Sequence, residues 1–300
     1  MLIPIAAYAP QEDLTAPARP KAELWRLLPA AIVIVALYLG PLMLLGVYLT
    51  ERYGSLIASA LFERIVHGDT PGGMLLLLWT FLGLALGPFA AVRLLHGRGA
   101  ATLFGPSWRT LRTDFLRVFV PVLGLQLVML PLTLHGADIR PGLNLTTFLL
   151  YLPFALPGIL IQIGAEELVF RGYLQSQLAA RFRMPAIWIG VPSALFAWGH
   201  HLPEEYGQNA WLITLWAAMF GAMAADLTAR TGNLGAALAF HFANNAIALL
   251  VVGVAGNLDG LALWSLPLDL KDTDVTRPAL MLDFATMIVS WLLARLSLRV

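Results

Sequence analysis

The chain has 300 residues, 59% of them hydrophobic and only 12% charged, with a formal net charge of +1. Soluble domains carry about 45–50% apolar and roughly 25% charged residues, so a soluble fold is excluded and a polytopic integral membrane protein is expected. The near-neutral balance points to no nucleic-acid partner, and the lack of cysteine excludes disulfides, thiolate metal sites and cysteine catalysis.

The opening stretch, "MLIPIAAYAPQEDLTAPARPKA", has no basic region ahead of an apolar core, so it does not read as a signal peptide. Its Pro and Ala content predicts a flexible tail over residues 1–22, followed by a single transmembrane helical domain over 23–300. A helix crossing hydrocarbon about 30 Å thick needs roughly 20 largely apolar residues. Such stretches fall near 27–50, 72–95, 116–136, 146–168, 184–202, 210–229, 232–253 and 279–298. They predict an all-α fold of about eight transmembrane helices enclosing an intramembrane polar site. Ahead of the third span, "SWRTLRTDFLRVF" sets Arg109, Arg112 and Arg117 among Trp108, Phe115 and Phe119, a pattern suited to an interfacial amphipathic helix. The fourth span is the weakest, interrupted by Pro153, Pro157 and three charges.

With the N-terminus inside, 14 of the 19 Lys and Arg residues fall in cytoplasmic segments and 5 outside. That bias predicts both termini in the cytoplasm. Arginine outnumbers lysine 17 to 2, a composition that suggests a GC-rich bacterial genome and hence the bacterial inner (plasma) membrane.

Ionisable groups within hydrocarbon are costly and mark functional sites by default. They gather in three places: Glu166, Glu167 and Arg171; His200 and His201; His241, Asn244 and Asn245. Glu167 and Arg171 are four residues apart with the acid first, the favourable order for an ion pair on one helical face. Glu166 points about 100° away and is left without that partner. A carboxylate in a low-dielectric site favours its protonated form, the usual preparation of a general base. His241 and Asn245 are also four apart, so an imidazole and a carboxamide on one face can donate to a developing oxyanion. For His200 a satisfied core hydrogen bond or an interfacial position weighs equally with a functional role, and for His201, at the outer end of its span, one of those two is favoured. Asp226 and Arg230 form a second pair of the same spacing. No HExxH and no GxSxG occurs, which argues against zincin-type and serine hydrolysis.

Three motifs thus stand in order on separate spans: "EELVFR" (166–171), "FAWGH" (196–200) and "HFANN" (241–245), with "FRGYL" completing the first and "TGNL" preceding the last. Together they resemble the CPBP family, the CAAX proteases and bacteriocin-processing intramembrane proteases, whose pattern is EExxxR, FxxxH and HxxxN or HxxxD. The resemblance covers a catalytic core at about 146–250. It implies an intramembrane endopeptidase acting on a membrane-associated protein or peptide substrate in the lipid bilayer. Glu166 and His200 would hold and activate water, His241 and Asn245 would stabilise the tetrahedral intermediate, and Glu167 and Arg171 would support them. The family is often described as metalloproteases, and Glu166, His200 and His241 could supply three ligands to Zn2+ with water as the fourth. The same atoms also serve without metal, with Glu166 as base and His200 orienting the water, and nothing in the sequence demands zinc. The alternative is a transporter or channel relaying protons or ions through the buried Glu, His and Asn cluster. It explains the polar residues but not the order of the motifs.

Taken literally, the spans set Glu166 near the inner end of the fourth and His200 near the outer end of the fifth, too far apart in depth for one water. The good helix formers in "LVFRGYLQSQL" predict that the fourth helix instead breaks at Pro153/Pro157 and continues through Leu174.

Overall fold

The computed structural model describes residues 5–135 and 138–300. Among them lie twelve α-helices: α1 (Glu12–Thr15), α2 (Leu27–Tyr53), α3 (Ser55–His67), α4 (Pro71–Ala91), α5 (Trp108–Thr133) and α6 (Leu145–Glu167), then α7 (Ser176–Arg181), α8 (Pro185–Trp198), α9 (Pro203–Tyr206), α10 (Ala210–Thr231), α11 (Gly235–Ala246) and α12 (Thr273–Leu298). Strands are confined to β1 (Arg140–Pro141), β2 (Val252–Val254) and β3 (Trp264–Leu266), in the order β1-β3-β2. The fold is the all-α polytopic one that hydropathy predicts.

Among the described residues, six helical stretches are long and apolar enough to cross a membrane: Leu24–Tyr53, Pro71–His96, Ala100–Leu132, Leu145–Arg181, Pro203–Thr231 and Thr273–Leu298. The predicted fifth and seventh spans are helices too, but shorter, Pro185–Trp198 and Gly235–Val251. Hydropathy registers the apolar run and not where the helix stops: α8 ends in a turn at Gly199 and His200, and α11 passes through a π-helical turn (Ile247–Val251) into β2. One helix was not foreseen. Gly54, at φ 81°, adopts a conformation open to glycine, and the chain turns there into the amphipathic α3.

Two further expectations change. Pro153 and Pro157 lie inside an unbroken α6; in hydrocarbon, neighbouring helices re-satisfy the carbonyls that proline frees. The helix does continue past Arg171, through a π-helical stretch Leu168–Gln175 into α7, so Leu145–Arg181 is one rod of 37 residues. Over its described part, the segment expected as a flexible tail is wound into 3-10 and α turns, with Tyr8, Leu14 and Ala18 buried. It packs on α10 and α7, and Tyr8 donates to Asp226 Oδ1 at 2.8 Å. Proline-rich composition conceals such packing because it carries no apolar period. Residues 1–4 of that tail and residue 136 of the third span lie outside the described residues.

Burial separates centre from periphery. Half of the most apolar window of the α10 span is buried, against 11% for that of α2, whose Leu28, Met43 and Leu44 face outward as lipid-exposed side chains do. The short α11 sits at the centre, packed against α5, α6, α10 and α12, with Ala236, Ala239 and Ala243 fully buried. Small residues of this kind let membrane helices approach closely.

Candidate active site

The rod ending at Arg181 and the helix starting at Pro185 are two legs of a hairpin. Glu166 stands as far before Arg181 along the chain as His200 stands after Pro185. At a rise of about 1.5 Å per residue each leg climbs roughly 22 Å, so both residues reach the same level. Phe170 and Phe196, also equally far from the turn, meet edge to face at 5.3 Å between centroids. The conflict in depth therefore disappears: α8 is short, and the fourth helix runs on far below Glu166.

At that level Glu167 is the hub. Its Oε1 accepts from Arg171 Nη1 at 3.0 Å and from His241 Nδ1 at 2.8 Å. Arg171 and Glu167 are essentially inaccessible, with side chains 1% and 0% exposed, so the pair needs every available bond to offset desolvation. Arg171 Nη2 donates to the Gly221 carbonyl at 3.1 Å, and its guanidinium lies 4.9 Å from the Phe196 ring centre. Gly221 also lets α10 lie close to α8, since a Cβ there would sit 3.1 Å from the Cα and Cβ of Ser193. The predicted ion pair is present, and it also grips the histidine.

His241 is held between two carboxylates. A carboxylate can only accept, so Nδ1 carries the proton given to Glu167, and Nε2 faces Glu166 Oε2 at 3.5 Å. That separation is too long for a well-formed hydrogen bond. Oε2 of Glu166 and Oε2 of Glu167 are buried without a hydrogen-bond partner. Glu166, expected to stand alone, thus has a neighbour in His241 but keeps an uncommitted oxygen.

One turn along, the same two helices meet again: Asn245 Nδ2 donates to Gln162 Oε1 at 2.8 Å. Gln162 and Glu166 on α6 face His241 and Asn245 on α11 as two antiparallel rungs, each helix contributing residues four apart. Sequence reasoning missed Gln162. Its signal was available, a carboxamide one turn before Glu166 in the apolar run "GILIQIG". Asn244 donates to Asn245 Oδ1 at 3.3 Å.

His200 is hydrogen-bonded to its own helix rather than to this cluster. Its Nδ1 donates to the Phe196 carbonyl at 2.8 Å, which leaves Nε2 as the acceptor of the neutral ring. The Phe196 ring packs against both histidines, its centroid 4.5 Å from that of His200 and 6.2 Å from that of His241. His201 bonds Thr214 at 2.8 Å and stacks on Trp198, away from the glutamates. Among the described residues, no three His, Cys, Asp or Glu side chains gather closely enough to hold a metal ion. Glu166, His200 and His241 do not come together as a zinc-ligand set.

The fold and the cluster define a membrane protein with a carboxylate–imidazole–carboxamide site buried among its helices. Residues 147–247 match the family model of type II CAAX prenyl endopeptidases, Rce1-like, so the resemblance to the CPBP family is borne out over the segment that carries all three motifs. The match indicates a CAAX-protease-like endopeptidase. The chain is also 28% identical over 232 residues to the uncharacterized protein YyaK of Bacillus subtilis (strain 168), covering 74% of this chain and 76% of that protein. No solved structure matches the chain.

Proposed function

We propose that the chain hydrolyses a peptide bond of a membrane-associated substrate, with Glu166 as general base. The observation that carries this is the seating of His241, fixed by Glu167 on one nitrogen and facing the uncommitted Glu166 oxygen with the other. Glu166 takes a proton from water as the water oxygen attacks the scissile carbonyl. His200, with Nδ1 committed to its own helix, offers Nε2 to orient that water. The carbonyl oxygen becomes an oxyanion stabilised by His241 and Asn245. Because Nδ1 of His241 is already committed, its donating form is the imidazolium, flanked by both carboxylates. Glu166 then returns its proton to the departing amine, and the peptide bond breaks. A positioned base contributes typically ~10²–10⁴-fold and an oxyanion donor about 10²–10³-fold.

The family match supports a CAAX-type prenylated peptide as the first substrate to try. The distribution of Lys and Arg supports a bacterial inner-membrane location with both termini in the cytoplasm. The test is cleavage of a prenylated CAAX-type peptide and its unprenylated twin by protein reconstituted in lipid vesicles. Wild type is expected to cleave, and Glu166→Gln to show no detectable turnover while unfolding at the wild-type temperature. Wild-type turnover by Glu166→Gln rejects the proposal.

A further inference from the structure

An oxyanion donor made from asparagine works only if its NH2 group, and not its oxygen, faces the substrate. A carboxamide flipped over presents the wrong atom at little steric cost. Two neighbours limit that freedom at Asn245. Gln162 Oε1 takes a hydrogen bond from Asn245 Nδ2, and Asn244 Nδ2 gives one to Asn245 Oδ1, at 2.8 and 3.3 Å. Against these partners as they stand, turning the Asn245 amide over alone would set oxygen against oxygen and nitrogen against nitrogen. One N–H of Asn245 is committed to Gln162, which leaves the second for the developing charge.

Gln162 is half-buried in the C-terminal part of α6, beside the fully buried Ile159 and Ile163. A carboxamide at such a place is unfavourable unless it is hydrogen-bonded. Its spacing from Glu166 puts it on the same face of α6 as the base, so the helix that presents the base also presents the group that holds the donor.

We infer that Gln162 is a positioning residue for the reaction, fixing the Asn245 carboxamide with its N–H toward the reacting carbonyl. This rests on the endopeptidase reading above. A merely structural cross-link between α6 and α11 would lower stability, whereas a positioning residue lowers the rate of the chemical step through Asn245 alone.

The experiment uses the full chain in lipid vesicles with the prenylated CAAX-type peptide. Gln162→Met keeps the length but removes the acceptor, and Gln162→Asn keeps the amide but is one methylene too short. Each is expected to lower kcat roughly 10–100-fold, with KM within about twofold and a near-wild-type unfolding temperature. In the Gln162→Met/Asn245→Ala double variant the two losses should not multiply, so that turnover equals that of Asn245→Ala alone. Losses that multiply overturn the inference, as does wild-type kcat in Gln162→Met, or a fall in stability with unchanged turnover per folded molecule. If Gln162→Met does not fold, Gln162→Asn alone and combined with Asn245→Ala gives the same comparison. Should Glu166→Gln or Asn245→Ala retain wild-type turnover, the endopeptidase reading fails and takes Gln162 with it. Silent Glu166→Gln and Asn245→Ala beside a fully active Gln162→Met removes Gln162 only.

Discussion

Glu167–Arg171 and Asp226–Arg230 are both acid-first pairs four residues apart, and both are buried, yet their carboxylates are used differently. Both oxygens of Asp226 are engaged: Oδ1 accepts from Tyr8 and Arg230, each at 2.8 Å, and Oδ2 from Trp291 Nε1 at 3.0 Å. Glu167 takes both of its donors on Oε1, leaving Oε2 buried without a partner, and a second carboxylate with an uncommitted oxygen stands beside it. Spacing alone makes the two pairs equivalent. What separates a clamp from a reactive centre here is whether a whole carboxylate oxygen is left without a donor and so is open to substrate or water.

The largest effect expected is that of Glu166→Gln, a loss of ~10²–10⁴ in turnover with little change in unfolding temperature, against no change in kcat for Asp226→Asn. Equal losses in both variants would erase the distinction between the two sites.

Breaking either pair comes next. Glu167→Ala and Asp226→Ala should each cost ~3–5 kcal/mol in stability, because each strands a buried arginine. Only Glu167→Ala should also silence the molecules that remain folded, as His241 loses the acceptor on Nδ1. Thermal unfolding in detergent beside turnover per folded molecule reads both quantities. Folded but inactive Asp226→Ala would put that pair into the chemistry as well.

A third buried arginine sharpens the contrast. The Arg98 guanidinium donates to the hydroxyls of Thr102 and Ser176, at 3.4 and 3.3 Å, and no carboxylate pairs with it among the described residues. Burial pushes its guanidinium down to about 10, so at neutral pH it is charged at a cost to the folded state. The unfolded chain holds that proton more tightly, so stability rises as pH climbs through about 10. Both hydroxyls already donate to backbone carbonyls, and Arg98→Met should therefore stabilise the protein by ~1 kcal/mol or more at neutral pH. A lower unfolding temperature in that variant would show that Arg98 has a counter-charge.

The smallest effect is Tyr8→Phe, which removes one of three bonds to Asp226 and should cost about 1 kcal/mol. It should also speed proteolysis of residues 5–21, read as the rate of N-terminal trimming. An unchanged rate would mean that Leu14 and Ala18 hold the segment without Tyr8.

Much of this was legible in advance. Apolar run length located every long helix, because hydrocarbon thickness sets a length that composition must meet. It missed α3, whose 13 residues are amphipathic and carry Glu63 and Arg64, and it missed the packing of Tyr8 and Leu14, which follow no helical period. It misjudged Pro153 and Pro157, since whether a freed carbonyl finds a new donor depends on neighbouring helices. At the site, the Glu167–Arg171 pair followed from helical pitch, while the attachment of His241 to that pair did not.

The sequence by itself determined what is local: membrane-spanning length, charge bias, and which residues share a helical face, because a pitch of about 3.6 residues is a property of any α-helix. Tertiary structure decided how faces meet. The bond from His241 to Glu167 joins residues 74 apart and that from Asn245 to Gln162 residues 83 apart, and no period reaches so far. That Glu166 and His200 share a level depended on a short α8 folding back along a rod that runs on to Arg181. Those lengths are set by where turns close and side chains pack, and hydropathy does not measure either.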